Sequence, residues 1–204
     1  MRKETTRQAL KDCALRCFGE RGFLVTTIDD ITDAAGVAHA TFYTHFESKD
    51  AIFEEIQSDF QQGLFERLTP VLENVGGSDI LTSARIAAGL VLEYWDGRRE
   101  YIAAFLRGTT PATTLNTVRS GQTAVVRDAL TDGLVSYARE RGIDLPGASL
   151  VIGGITAMWT RVGLSYLYQD GEEGPPISRE VTIDTLAKMT FGVLSQFLSL
   201  GEGS

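Results

Sequence analysis

The chain has 204 residues, 43% of them apolar and 23% charged, with a net charge of −8. These are ordinary globular proportions, so an ordered chain is expected except at the ends, and the length suffices for one small module plus one domain with its own core. The acidic balance excludes a protein held on nucleic acid by bulk charge alone, because residues 1–50 carry seven Lys/Arg against eight Asp/Glu and are less acidic than the rest without being basic.

The predicted elements are helices throughout. Leu10, Cys13, Ala14, Cys17 and Phe18 form an i, i+3, i+4, i+7, i+8 stripe, which Arg21-Gly22 ends. Cys13 and Cys17 fall on that stripe and read as buried thiols, since a bridge four residues apart closes almost no loop. Thr26 and Thr27 offer an N-cap, with Asp29 and Asp30 at capping-box distance, for a short helix to Ala35 that Gly36 ends. A third short helix runs from about Ala38 to Phe46. Ser48 caps a fourth from Lys49 to near Leu68, where Thr69-Pro70 stops it.

Further helices are expected at Ile80–Trp95, Arg98–Leu106, Leu115–Arg141, Ala148–Tyr168 and Arg179–Leu200, separated by Gly97, Gly108 with Pro111, Gly142 with Pro146, and the run at 171–176. The fold class is therefore all-α, with about nine helices. A three-helix N-terminal helix-turn-helix domain occupies 1–48 and a C-terminal helical bundle 49–204. Helix Ala148–Tyr168 is apolar on nearly every side, and Arg179–Leu200 has a broad apolar stripe. Either both sit in a monomer's core or a second subunit covers them. A domain this small favours the second, a homodimer through the last two long helices. The dimer-interface candidates are Ile155, Val162, Tyr166, Leu186, Met189, Val193 and Phe197, with Gly153, Gly154, Ala157 and Gly163 permitting close helix approach.

The informative stretch is Thr26–Asp50. It reads as two short helices joined by a tight turn at Gly36, with Ile31, Val37 and Phe42 packing them together. In that arrangement the first helix lies over a DNA backbone and the second enters a major groove. The second helix offers His39, Ala40, Thr41, Tyr43, Thr44 and His45, short polar and aromatic groups able to approach bases and phosphates. Tyr43 is a candidate phosphate clamp. Lys49 adds charge at the start of the next helix, and Thr27 completes the set of DNA-binding candidates. His39 and His45 are the only histidines. Six residues apart on a helix, they point about 240° apart and cannot share one metal ion.

From Thr6 to Phe53 these residues resemble the DNA-binding domain of the TetR family of bacterial repressors. The features that carry the resemblance are CFGERGF at 17–23, the two threonines at 26–27, AAGV at 34–37 and TFYTHFESK at 41–49. Four positions depart from the family pattern. Ala38 stands where Ser or Thr usually caps the recognition helix, His39 where a basic residue is frequent, Ala40 where Gly is common, and Thr32 where Ala is common. The resemblance implies a homodimer, a palindromic double-stranded DNA operator, and a small-molecule effector that lowers DNA affinity. With no Arg in the recognition helix, contacts to A·T methyl groups and phosphates are expected to outweigh Arg–guanine pairs.

The resemblance also implies an effector pocket. Its candidate lining is Phe60, Leu64, Tyr94, Tyr101, Phe105, Trp159 and Arg161, for a small, largely apolar or aromatic molecule. Arg161, in an apolar helix, calls for a partner: an acidic effector or an internal carboxylate such as Glu93.

No phosphate-cradling glycine loop and no Cys/His cluster suited to zinc occurs, so neither cofactor nor metal is expected. Beyond residue 50 there is no His and no Cys, which removes the commonest acid–base and nucleophilic groups and argues against an enzyme. The polar start MRKETTRQAL is no signal peptide, and Leu150–Tyr168 is broken by Arg161, so the expectation is a cytoplasmic protein with no membrane partner. The readings that remain beside a repressor are a transcriptional activator and a helical protein-interaction module.

Overall fold

A computed structural model describes residues 2–73, 79–108, 124–169 and 176–201. Among the described residues the regular structure is entirely helical. The helices are α1 (Arg2–Arg21), α2 (Ile28–Ala35), α3 (His39–Tyr43), α4 (Lys49–Glu73), α5 (Ile80–Asp96), α6 (Arg99–Gly108), α7 (Ala124–Arg139), α8 (Ala148–Leu167) and α9 (Arg179–Gly201). The chain divides into two compact units, Met1–Gln62 with Arg98–Gln122, and Gly63–Gly97 with Thr123–Ser204.

In the first unit, the α1 stripe does what its period implies. Leu10, Ala14 and Phe18 are fully buried, as are Ile31 of α2, Phe42 of α3 and Ile52 of α4. Phe18, Phe23 and Phe53 form an aromatic cluster with centroids 4.9–5.6 Å apart. Cys13 and Cys17 are free and buried, and burial pushes the Cys17 thiol up. Gly22 stops α1 at φ 90°, its N–H donating to Phe18 O at 2.9 Å. α6 lies along α1, and at Gly19 an added Cβ would stand 3.4 Å from the Glu100 carbonyl.

In the second unit, Asp79 caps α5 by accepting from Thr82 N, and the hydrogen bonds from Thr82 hold its carboxyl below the usual range. One core joins α5 to α8 and α9: Ala88, Leu92 and Leu186, with Trp159, Val162, Tyr166 and Ile183 against them. A second joins α7, α8 and the end of α9 through Leu134, Ala138, Ile152, Ile155 and Leu198. Of the small residues expected to admit close approach, Gly163 does so. A Cβ there would lie 2.6 Å from the Trp95 ring, whereas Gly153 and Gly154 have nothing within 4 Å.

Most helix ends fall within one or two residues of the sequence reading, and two depart further. α4 passes through Pro70 to Glu73. A proline only three residues from a helix end removes a single late N–H and leaves little helix to disrupt, so the stop expected at Thr69-Pro70 does not operate. α3 ends at Tyr43 rather than Phe46, with His45 and Phe46 closing a turn onto the Phe42 carbonyl at 2.9 Å each. The expected start of a helix at Leu115 lies outside the described residues.

Candidate nucleic-acid interface

The site is built by local rules first. Thr27 caps α2 in a complete capping box: its hydroxyl accepts from Asp30 N at 3.1 Å, and the Asp30 carboxylate accepts from Thr27 N at 2.8 Å. The Thr27 N–H and the Thr27 hydroxyl, at 2.7 Å, both donate to the Asp30 carboxylate and hold it below the usual range, with Arg21 adding a salt bridge. The neighbouring Thr26 is buried and donates to Gly22 O at 2.9 Å and Cys17 O at 3.2 Å. The two threonines therefore do different work: the first fastens the loop to α1, the second opens α2.

Gly36 ends α2 in the left-handed region at φ 64°, its N–H reaching Asp33 O and Val37 N reaching Thr32 O at 3.0 Å. That tight turn launches α3 from Ala38, whose extended backbone suits an N-cap but whose methyl makes no cap hydrogen bond. Phe42 anchors α3 in the core beside Phe46, with centroids 5.7 Å apart.

The opposite side of α3 faces outward. His39, Ala40, Tyr43 and Thr44 are exposed, as is Thr27 at the start of α2, while Thr41, His45 and Lys49 are half-buried. The His39 and Tyr43 rings pack at 5.4 Å. His39 Nδ1 meets the carboxylate of Asp29 on α2, a partner that sequence spacing did not single out. His45 sits beyond α3. Its carbonyl accepts from Arg7, and among the described residues its Nδ1 is buried without a hydrogen-bond partner.

Lys49 is used structurally. Its ammonium donates to Phe23 O and Thr26 O, each at 2.7 Å, reaches Leu24 O at 3.4 Å, and lies 4.6 Å from the Phe23 ring centroid. An ammonium has three hydrogens, and three carbonyls of the α1–α2 loop accept them.

A charged clamp behind this surface was not read from the sequence. Arg7 on α1 pairs with Glu55 on α4, lies 4.2 Å over the Phe46 ring, and binds His45 O; Lys11 pairs with Glu55 at 3.2 Å and Asp59 at 2.6 Å. The Arg7 hydrogen bond holds the Glu55 carboxyl below its usual range against the opposing effect of burial, and Lys11 helps. Burial would lower the Lys11 pKa, but the bonds to Asp59 and Glu55 outweigh it and raise it.

The pocket candidates divide between the units. Phe60 and Tyr101 stack within the first at 3.8 Å and 10°. Leu64, Tyr94, Trp159 and Arg161 belong to the second; Leu64 and Tyr94 are buried, and Trp159 Nε1 donates to Thr190 at 2.7 Å. Arg161 is exposed, and Glu93 instead meets Arg67 at 3.5 Å and Arg179 at 3.8 Å. The Phe105 side chain lies outside the described residues.

The dimer candidates also divide. Ile155 and Leu186 are core, Val162 and Tyr166 pack on the α5–α9 core, and Phe197 packs on the α7–α8 core. Met189 and Val193 are each 42% exposed. Near Val193 an open groove of about 300 Å³ is lined by Leu150, Val151, Gly154, Ile155 and Met158. Leu150 itself is 81% exposed. By length and composition alone, α8 is the one described helix apolar enough to cross a membrane.

Residues 11–56 match the family model described as bacterial regulatory proteins, tetR family. The chain is 39% identical over 70 residues to the HTH-type transcriptional repressor KstR2 of Rhodococcus jostii, covering 34% of each chain. It is 30% identical over 105 residues to the HTH-type transcriptional repressor DhaR of a Mycobacterium strain, covering 52% of each. The match thus spans between a third and about half of these curated relatives. The solved structure of the fatty acid degradation regulator FadR from Bacillus halodurans aligns over 92% of this chain and 95% of its own, with a TM-score of 0.74 at 14% identity, a likeness of fold. With a capped α2, a glycine turn, an outward-facing α3 and the family match, residues 11–56 form a domain of the type found in the TetR family of bacterial regulatory proteins.

Proposed function

We propose that the protein is a cytoplasmic, non-enzymatic transcriptional repressor that binds a palindromic DNA operator as a homodimer and leaves it when a small, largely apolar or aromatic effector binds. The observation that carries this reading is the exposed row His39, Ala40, Tyr43 and Thr44 on a helix whose other side is locked into the core by Phe42. A recognition helix needs that division: one side fixed, the other free for a major groove. Thr27, Thr41 and His45, within a proposed DNA-binding domain of residues 1–48, and Lys49 just beyond it complete the proposed DNA-facing set.

Residues 49–204 form the proposed sensing and dimerising part. Phe60, Leu64, Tyr94, Tyr101, Phe105, Trp159 and Arg161 are its candidate effector residues. α4 begins beside the DNA-facing helix and continues to Glu73, so it is the proposed link between effector and DNA. The effector acts by linkage, preferring a state in which the two recognition helices no longer match half-sites about 34–36 Å apart.

The test is fluorescence anisotropy with the DNA flanking the protein's own gene, at low salt and again at higher salt. Saturable, competitor-resistant binding of a dimer is expected. Equal binding to any DNA, or none, would remove the repressor reading and favour a helical interaction module. Reporter expression that falls when the gene is deleted would identify an activator instead.

A further inference from the structure

The Asp29–His39 pair joins α2 to α3, the helix proposed to enter the groove. His39 is the first residue of α3, the end of a recognition helix that reaches base edges. Its side chain is 50% exposed and that of Asp29 72% exposed. A polar contact this open adds little stability, so its consequence lies in what it does to the neutral imidazole. The contact is at Nδ1. A carboxylate accepts and never donates, so the proton of the neutral ring belongs on Nδ1 and Nε2 is left as a bare acceptor. The Tyr43 ring at 5.4 Å holds the imidazole from the next turn of the same helix.

We infer that Asp29 is a positioning residue for DNA reading: by fixing the Nδ1–H tautomer of His39 it makes Nε2 an acceptor, selecting at one position of each half-site a base that bears a major-groove amino group. Adenine N6 and cytosine N4 are the donors there, while guanine and thymine present acceptors. The inference rests on the proposal that α3 reads DNA, and it adds a polar base contact to the methyl contacts expected of a recognition helix without Arg. Without Asp29, the ring is free to carry its proton on Nε2, and the preference turns toward guanine or thymine.

Two measurements test it. The first needs no DNA: long-range proton–nitrogen NMR of the labelled full chain at pH 8, with His39 assigned by the signal lost in His39→Ala, since only two histidines are present. Wild type is expected to show an unprotonated Nε2, and Asp29→Ala to shift the population toward Nε2–H. The Thr27–Asp30 capping box remains to hold α2 in that variant. The second is selection from a randomised palindromic DNA library. Wild type is expected to enrich adenine or cytosine at one half-site position by about two- to tenfold, His39→Ala to flatten that position, and Asp29→Ala to move it toward guanine or thymine. A tautomer unchanged in Asp29→Ala, or a wild-type and Asp29→Ala preference that coincide, overturns the inference while leaving DNA binding intact. A wild type that enriches no sequence overturns the repressor reading itself, and this inference with it.

Discussion

At the scale of single residues, the α2–α3 region shows how far a local rule carries. Thr27 and Gly36 were legible because a cap and a left-handed glycine are written within three or four positions of the residue concerned. Ala38 was legible for the same reason: its backbone, at φ −68° and ψ 145°, is already in the N-cap conformation and lacks only an oxygen. Ala38→Ser is therefore expected to stabilise the protein by about 0.5–1 kcal/mol, read as a rise in the thermal unfolding midpoint. An unchanged midpoint would mean that the end of α3 needs no cap. Lys49 reads from the sequence as a candidate phosphate contact, and its role as a staple was not legible, since its acceptors lie 23–26 residues earlier. Lys49→Met should cost about 1–3 kcal/mol by stripping the loop carbonyls of a charged donor, and should weaken binding to every DNA sequence alike. Calorimetry and anisotropy together check this, and a variant that loses DNA affinity at full stability would return Lys49 to a purely phosphate-directed role.

At the scale of elements, periodicity found the helices, and sequence separation decided what was missed. The α1 stripe and the α8 and α9 apolar faces follow from the 3.6-residue repeat alone. The Arg7–Glu55 and Lys11–Asp59 pairs join residues 48 positions apart, and no pattern within either helix announces them. The same reason explains why the sequence offers Arg161 an acidic effector or a carboxylate such as Glu93, whereas Glu93 meets Arg67 and Arg179. The clamp has a consequence in acid. Because Glu55 titrates lower in the folded protein than its ordinary value of 4.5, its stabilisation is present above that pH and is lost as pH falls below it, when the carboxyl takes up a proton. Between pH 6 and pH 3 the unfolding midpoint of wild type should fall further than that of Glu55→Gln. Parallel curves would mean that the clamp contributes no net stability, as exposed pairs often do not. Because Arg7 also holds the His45 carbonyl and covers Phe46, Glu55→Gln is expected to loosen the end of α3 as well.

At the scale of the whole molecule, the open question is what covers α8 and α9. Leu150, Met189, Phe191 and Val193 are more exposed than a soluble surface favours, and Leu150 and Val193 border one apolar groove. A membrane would ask α8 to be apolar all round, but Arg161 is exposed on it, and Gly163 and Ile155 are committed to protein neighbours. A second copy of the chain requires only one apolar side, which is what α8 and α9 offer. Leu150→Glu with Val193→Glu tests this without touching the core, since both side chains are exposed. Light scattering should give wild type twice the 22.2 kDa of one chain and the double variant a single chain, with helical circular dichroism unchanged. Operator affinity should then fall by orders of magnitude, because a lone head contacts one half-site and loses the effective concentration that a tethered second head supplies. A variant that stays dimeric and binds normally would place the subunit contact elsewhere and leave the groove as a candidate mouth for an apolar effector.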